Sequence, residues 1–192
     1  MRVRDVICTA VDFETTGSVR GYRDEPWQIG LVDVRGGAFA ADTQFTSLLN
    51  VGDRPFNPHA PGRHGQRREE IAAAPPLASL WPVLRERLVG RALVAHNAAT
   101  ERKMLRGCFP MHRFGPWIDT LALSRYAFPH LASHALADVV DHLGLADRAN
   151  SACPGLTWHD ALYDAVASAL VLETILDLPT WQNVSTESLS SV

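Results

Sequence analysis

The chain predicts a mixed α/β fold, and three observations predict it. Three strand-like segments follow one another near the start, a fourth short apolar run lies between helical patterns at mid-chain, and a long apolar helix pattern comes near the end. A doubly wound sheet would instead alternate each strand with a helix. The architecture expected is therefore an antiparallel three-strand meander joined by parallel strands and flanked by helices.

Each element has its own local reason. Residues 5–13 hold the apolar run Val6-Ile7-Cys8-Thr9-Ala10-Val11, long enough for one strand and apolar enough to be buried on both faces. After a polar loop from Ser18 to Glu25, residues 27–34 read as a second strand, and Gly36-Gly37 turns the chain into a third near 39–49. Glycines and prolines make residues 50–65 a loop. A short helix is expected from Gln66 to Ala73, stopped by Pro75-Pro76, and Leu77, Leu80, Trp81, Leu84 and Leu88 share one side of the next. Ala92 to Ala95 is a short buried strand, Thr100 to Gly107 a helix, and further helices are expected near 119–127 and 134–143. Thr157-x-x-Asp160 resembles a capping box, with Ala161 to Leu176 as the helix behind it and Pro179 after its end. Residues 1–178 form one expected domain, and the polar stretch 179–192 is expected to be a disordered tail.

A chain of 192 residues, 46% hydrophobic and 20% charged, is the composition of an ordinary globular domain with one core. Cys8, Cys108 and Cys153 are odd in number and widely spaced, which points to a reducing compartment and away from a zinc site or a disulfide framework. Charged residues around the first apolar run exclude a signal peptide, and no stretch approaches the roughly 20 apolar residues of a membrane span. A cytoplasmic location is expected. The net charge of −3 gives no global basic field for coating nucleic acid, although a site built from acids would offset local arginines.

The chemistry begins at Asp12-Phe13-Glu14. Strand side chains alternate, so Asp12 and Glu14 point one way and Phe13 the other. Two carboxylates so close on a buried strand repel one another and are costly to desolvate unless a cation neutralises them. Hard divalent cations such as Mg²⁺ take such oxygen ligands. The competing reading is a strand that simply runs out into solvent.

The rest of the chain decides between the two. AVDFETTG at 10–17 is followed by LVAHNAATERKML at 93–105, WIDTLAL at 117–123, SHALADVVDHLGL at 133–145 and HDALYDAVASALVL from residue 159, with RHGQRREEIAAAPPL at 63–77. In this order the motifs resemble the DnaQ-like, DEDDh-type 3′–5′ exonuclease family over roughly residues 5–177. The resemblance implies an RNase H-like mixed sheet with the first strand central. It implies Asp12, Glu14 and Asp164 as metal ligands and His159 as general base. Glu101 stands where the family has aspartate, which makes it the fourth ligand and the one departure that touches chemistry. Two divalent cations, Mg²⁺ or Mn²⁺, are the implied cofactors, and histidine suits a base because its ordinary pKa of about 6.5 lies near working pH.

Thr15, Thr16 and Gly17 offer hydroxyls and amides to a terminal nucleotide, or form an ordinary turn. His64 stands in the loop that would approach the 3′ end, and His96-Asn97 shape the segment after the fourth strand, with a structural hydrogen bond the alternative for His96. Asp160 reads as a cap in preference to a ligand, and Asp119 likewise begins a helix. The expected activity is metal-dependent release of nucleoside 5′-monophosphates from single-stranded or frayed 3′ ends, DNA favoured over RNA. An RNA-trimming enzyme or a catalytically silent nucleic-acid-binding module of the same fold are the alternatives. The short polar tail argues against a polymerase partner, and a homodimer stays open.

Overall fold

The computed structural model describes all residues, 1–192, and places five strands in one sheet in the order β3-β2-β1-β4-β5. They are β1 (Ile7–Thr15), β2 (Pro26–Arg35), β3 (Ala38–Leu48), β4 (Ala92–Ala95) and β5 (Trp117–Asp119). The first three form the expected antiparallel meander, and β4 and β5 add in parallel on the other side of β1. The central position of β1 explains its apolar run: Cys8, Ala10, Val11 and Phe13 are all buried. β5 was not expected, because a run of three residues is shorter than any strand pattern can register.

The helices are α1 (Arg68–Ala73), α2 (Trp81–Leu88), α3 (Ala99–Cys108), α4 (Thr120–Ala127), α5 (Leu136–His142), α6 (Ala146–Ala152), α7 (Ala161–Asp177) and α8 (Thr186–Leu189). Strand alternation sorts β1 between two cores. Cys8 and Ala10 pack with Val166, Leu170 and other residues of α7, whereas Val11 and Phe13 pack with Leu84 and Leu88 of α2 and Met104 and Leu105 of α3. α7 is buried nearly all round, as a helix wedged between the sheet and the outer helices must be. α6 escaped the sequence reading.

Two expectations are corrected here. Asp160, and not Thr157, is the N-cap of α7: its side chain accepts from the Leu162 N–H at 3.1 Å, while the Thr157 hydroxyl accepts from Arg63. The stretch 179–192 is not a disordered tail. Trp181 and Leu189 are buried in the main core, the Val3 N–H donates to the Val184 carbonyl at 3.0 Å, and the Ser185 hydroxyl caps α8. Trp181, Leu189 and the half-buried Val184 dock a segment whose average composition is polar.

No helix is long and apolar enough to cross a membrane.

Candidate active site

The site is built where β1 runs under the start of α7. The pairing of β1 with β2 sets Asp12 opposite Gly30 and Glu14 opposite Gln28, so all four belong to the sheet face that α7 covers. Gly30 has no side chain because none fits. A Cβ there would come within 3.0 Å of the Ala161 carbonyl and the Leu162 nitrogen, so the first turn of α7 rests directly on the sheet beside Asp12. Gln28 fixes the same turn: its amide donates to Asp160 Oδ2 at 2.9 Å, and its Oε1 accepts from the Ala161 N–H at 3.4 Å. Just before the cap, His159 adopts a left-handed backbone at φ 64°, uncommon for a residue with a side chain, and its N–H donates to Asp164 Oδ2 at 3.3 Å. Residues 159 and 164 are thereby tied across the first turn of the helix.

Ligand atoms of Glu14, His159 and Asp164 all lie within 4.8 Å of one another. Asp12 and Glu101 line the same cleft of about 460 Å³, Glu101 reaching it from the first turn of α3. Burial pushes the Asp12 carboxyl well up, and Glu101 is the charge that raises it most, ahead of Asp164 and Glu14. Glu14 is pushed up to about 8 by burial and then by Asp164, Asp160 and Glu101. Glu101 rises to about 8, mainly through burial, against a backbone hydrogen bond that lowers it. Asp164 rises to about 7 through burial, opposed by the His159 N–H and assisted by Asp160. Four acids thus crowd one cleft lined by no lysine or arginine. Glu101 Oε2 and Asp164 Oδ1 are buried without any hydrogen-bond partner. Oxygen donors held close together, raised in pKa and lacking protein partners are the donor set that a hard divalent cation satisfies.

The other expected residues divide. Thr15 and Gly17 line the cleft. The Gly17 N–H already donates to Asp24 Oδ1 at 2.9 Å, and buried Thr16 also donates its hydroxyl to Asp24, so these two hold the loop and do not present free groups. His64 is turned away: it stacks on Phe56 at 5.0 Å between ring centroids and packs edge-on to Trp27, outside the residues that line the cleft. His96 borders the cleft, but both ring nitrogens are engaged, with the Thr120 hydroxyl at 3.0 Å and the His134 carbonyl at 2.8 Å. Asn97 lies outside the lining, in a left-handed turn (φ 70°) whose N–H is held by Asp119. Asp119 also caps α4, as expected.

Four residues of the site went unread. Asn57 and His59 form a wall of the cleft from the loop after β3, and no periodicity marks a loop residue. Gln28 and Gly30 did carry a signal, a polar residue and a glycine inside an otherwise apolar strand, where glycine marks a close backbone approach.

A family model described as an exonuclease matches residues 9–172. A DNA polymerase III subunit epsilon-like protein of Rhodobacter capsulatus is 32% identical over 161 residues, 82% of this chain but 22% of that protein. The chain therefore spans about a fifth of that relative's length. Exodeoxyribonuclease 10 of Escherichia coli K12 is 29% identical over 172 residues, 89% of this chain and 69% of that protein. Among solved structures, Exonuclease X in complex with 5′-overhanging duplex DNA superposes with a TM-score of 0.72 at 26% identity, covering 95% of this chain and 99% of that one.

Proposed function

The chain belongs to the RNase T exonuclease family and has its RNase H-like fold, and from that premise we propose that it is a 3′–5′ exonuclease dependent on two divalent cations, Mg²⁺ or Mn²⁺. It releases nucleoside 5′-monophosphates from single-stranded or frayed 3′ ends, with DNA favoured over RNA. The observation that carries the reading is the meeting of four carboxylates from β1, α3 and α7 with one histidine in a single cleft.

Asp12, Glu14, Glu101 and Asp164 hold the cations. When bound, these supply positive charge for the phosphate oxygens at which negative charge develops. The free Oε2 of Glu101 speaks for a working ligand at the position where the family has aspartate. His159, exposed at the mouth and held by its own N–H on Asp164, accepts the proton of the attacking water. Thr15 and the wall of Asn57 and His59 border the space for the terminal nucleotide. Preference for DNA is supported by the DNA bound to Exonuclease X and by the name of the Escherichia coli relative. A cytoplasmic location is supported by the three free thiols.

The test uses single-stranded DNA and RNA 20-mers, each labelled at the 5′ or the 3′ end, with Mg²⁺ or Mn²⁺. A ladder shortening from the 5′-labelled strand, with the 3′ label released first as a mononucleotide, is the expected result. Release of the 5′ label first overturns the polarity, faster loss of the RNA overturns the preference, and full-length strands with either metal overturn the enzyme.

A further inference from the structure

We propose that the groove between α3 and the segment leading into β5 is a second nucleic-acid contact, binding the phosphodiester backbone of a polynucleotide whose 3′ end lies in the cleft. The proposal rests on the exonuclease reading and adds the site that supplies affinity for a polyanion.

The cleft is lined by acids, and the chain carries a net charge of −3, so attraction for phosphate beyond the scissile bond has to come from elsewhere on the surface. Most arginines are already committed to carboxylates: Arg2, Arg4, Arg23, Arg35, Arg54, Arg67, Arg87, Arg91 and Arg148 all form salt bridges. Eight arginines form none, and three of these, Arg102, Arg106 and Arg113, are exposed near one another. These three line one groove of about 500 Å³ together with His112, Phe114, Pro116 and Trp117, and no acid lines it. Other clefts that contain arginines differ in this respect: the one with Arg63 and Arg67 also has Glu70 and Asp160, and the one with Arg54 and Arg68 also has Asp53.

Placement links the groove to the cleft. Glu101, in the cleft, and Arg102, in the groove, are consecutive on α3, and Arg106 shares the Arg102 face one turn further on, roughly 6 Å along the axis. The groove therefore begins one residue along α3 from a proposed metal ligand, on a helix face turned about 100° from it. Its chemistry suits a nucleic acid. Arginine forks match phosphate oxygens bidentately. The Arg102 guanidinium is held 5.6 Å from the centre of the Trp117 ring, which orients it. His112 and Phe114, both half-buried, pack their rings against Trp81 and make the rest of the groove wall aromatic.

The test measures binding in EDTA, where no cleavage occurs, of a fluorescent single-stranded DNA 20-mer, a 3′-recessed duplex of equal length and a polyglutamate peptide. Wild type is compared with Arg106→Gln/Arg113→Gln over a series of salt concentrations, and circular dichroism checks that both are folded. Loss of two single-strand phosphate contacts lowers the log–log salt slope by about 1.4. The fall in affinity for the 20-mer between 50 and 200 mM salt should then shrink by about sevenfold in the variant. An effect of the variant on the single strand at least as large as on the duplex supports the proposal, and an effect confined to the duplex overturns it, because the groove then holds the complementary strand and not the one being shortened. An unchanged slope for both DNAs overturns the proposal, as does polyglutamate binding as strong as DNA binding. Because the readout is binding without metal, failure of the groove stays distinct from failure of the exonuclease reading.

Discussion

Replacing Glu14 with glutamine should make the metal-free protein more stable, and the gain should grow with pH. In the folded chain the Glu14 carboxyl is raised to about 8 from an ordinary 4.5. Between these values the native state holds a proton that the unfolded chain releases, so stability falls as pH rises from 4.5 to 8. At 1.36 kcal/mol per pH unit, the cost at pH 7 is about 3 kcal/mol, against less than about 1 kcal/mol at pH 5. Glutamine keeps the shape, is buried as a neutral group just as the protonated acid is, and has nothing to titrate. For a chain of this length about 3 kcal/mol corresponds to a Tm rise of roughly 6–12 °C at pH 7. Thermal melts of wild type and Glu14→Gln in EDTA at pH 5, 6, 7 and 8 measure it directly. With excess Mn²⁺ the order should close up or reverse, because a ligand that binds only the native state stabilises it by about 2.7 kcal/mol at one hundred times its Kd, and the variant has lost one donor. A variant that melts at or below wild type at pH 7 and 8 in EDTA, or a Tm difference independent of pH, refutes the crowded-carboxylate reasoning.

Other perturbations address single parts of the site. Asp12→Ala or Asp164→Ala should abolish nearly all cleavage while leaving the circular dichroism unchanged, and EDTA should do the same to wild type until Mg²⁺ or Mn²⁺ is restored; more than a small residual turnover by Asp12→Ala speaks against the cation-holding role. His159→Ala should lower turnover by roughly 10²–10⁴ with little change in oligonucleotide affinity, and added imidazole should recover part of the rate; a rate unchanged by the substitution means another group takes the proton. Glu101→Gln should cost on the order of 100-fold in turnover, whereas Glu101→Asp stays active and shifts preference from Mn²⁺ toward Mg²⁺, the stricter ion about octahedral geometry; equal rates for Glu101→Gln and wild type remove Glu101 from the ligand set. Gly30→Ala should destabilise by about 1–3 kcal/mol through overpacking, and the shift it forces on the start of α7 should cost activity of order 10²-fold; a Tm and rate equal to wild type would falsify the direct seating of α7 on β2.

What the sequence by itself determined is what local rules decide. Alternation along one strand put Asp12 and Glu14 on a common face, Gly36-Gly37 closed the meander, and the caps at Asp119 and Asp160 follow from side chains reaching N–H groups two residues on. The motif order also named the five residues that the fold brings to one cleft. Tertiary structure decided everything that depends on which surfaces meet. β5 exists because three residues find β4 beside them, not because their own pattern demands a strand. His59 and not His64 borders the cleft, since the apolar neighbours Phe56 and Trp27 draw the His64 ring inward. The C-terminal segment docks because Trp181 and Leu189 find the main core, a gain that an average over polar composition conceals. The raised carboxyls, too, are a property of the assembled site: Asp12, Glu101 and Asp164 are far apart in the chain, and only folding around the end of β1 buries their charges together, where water no longer screens them.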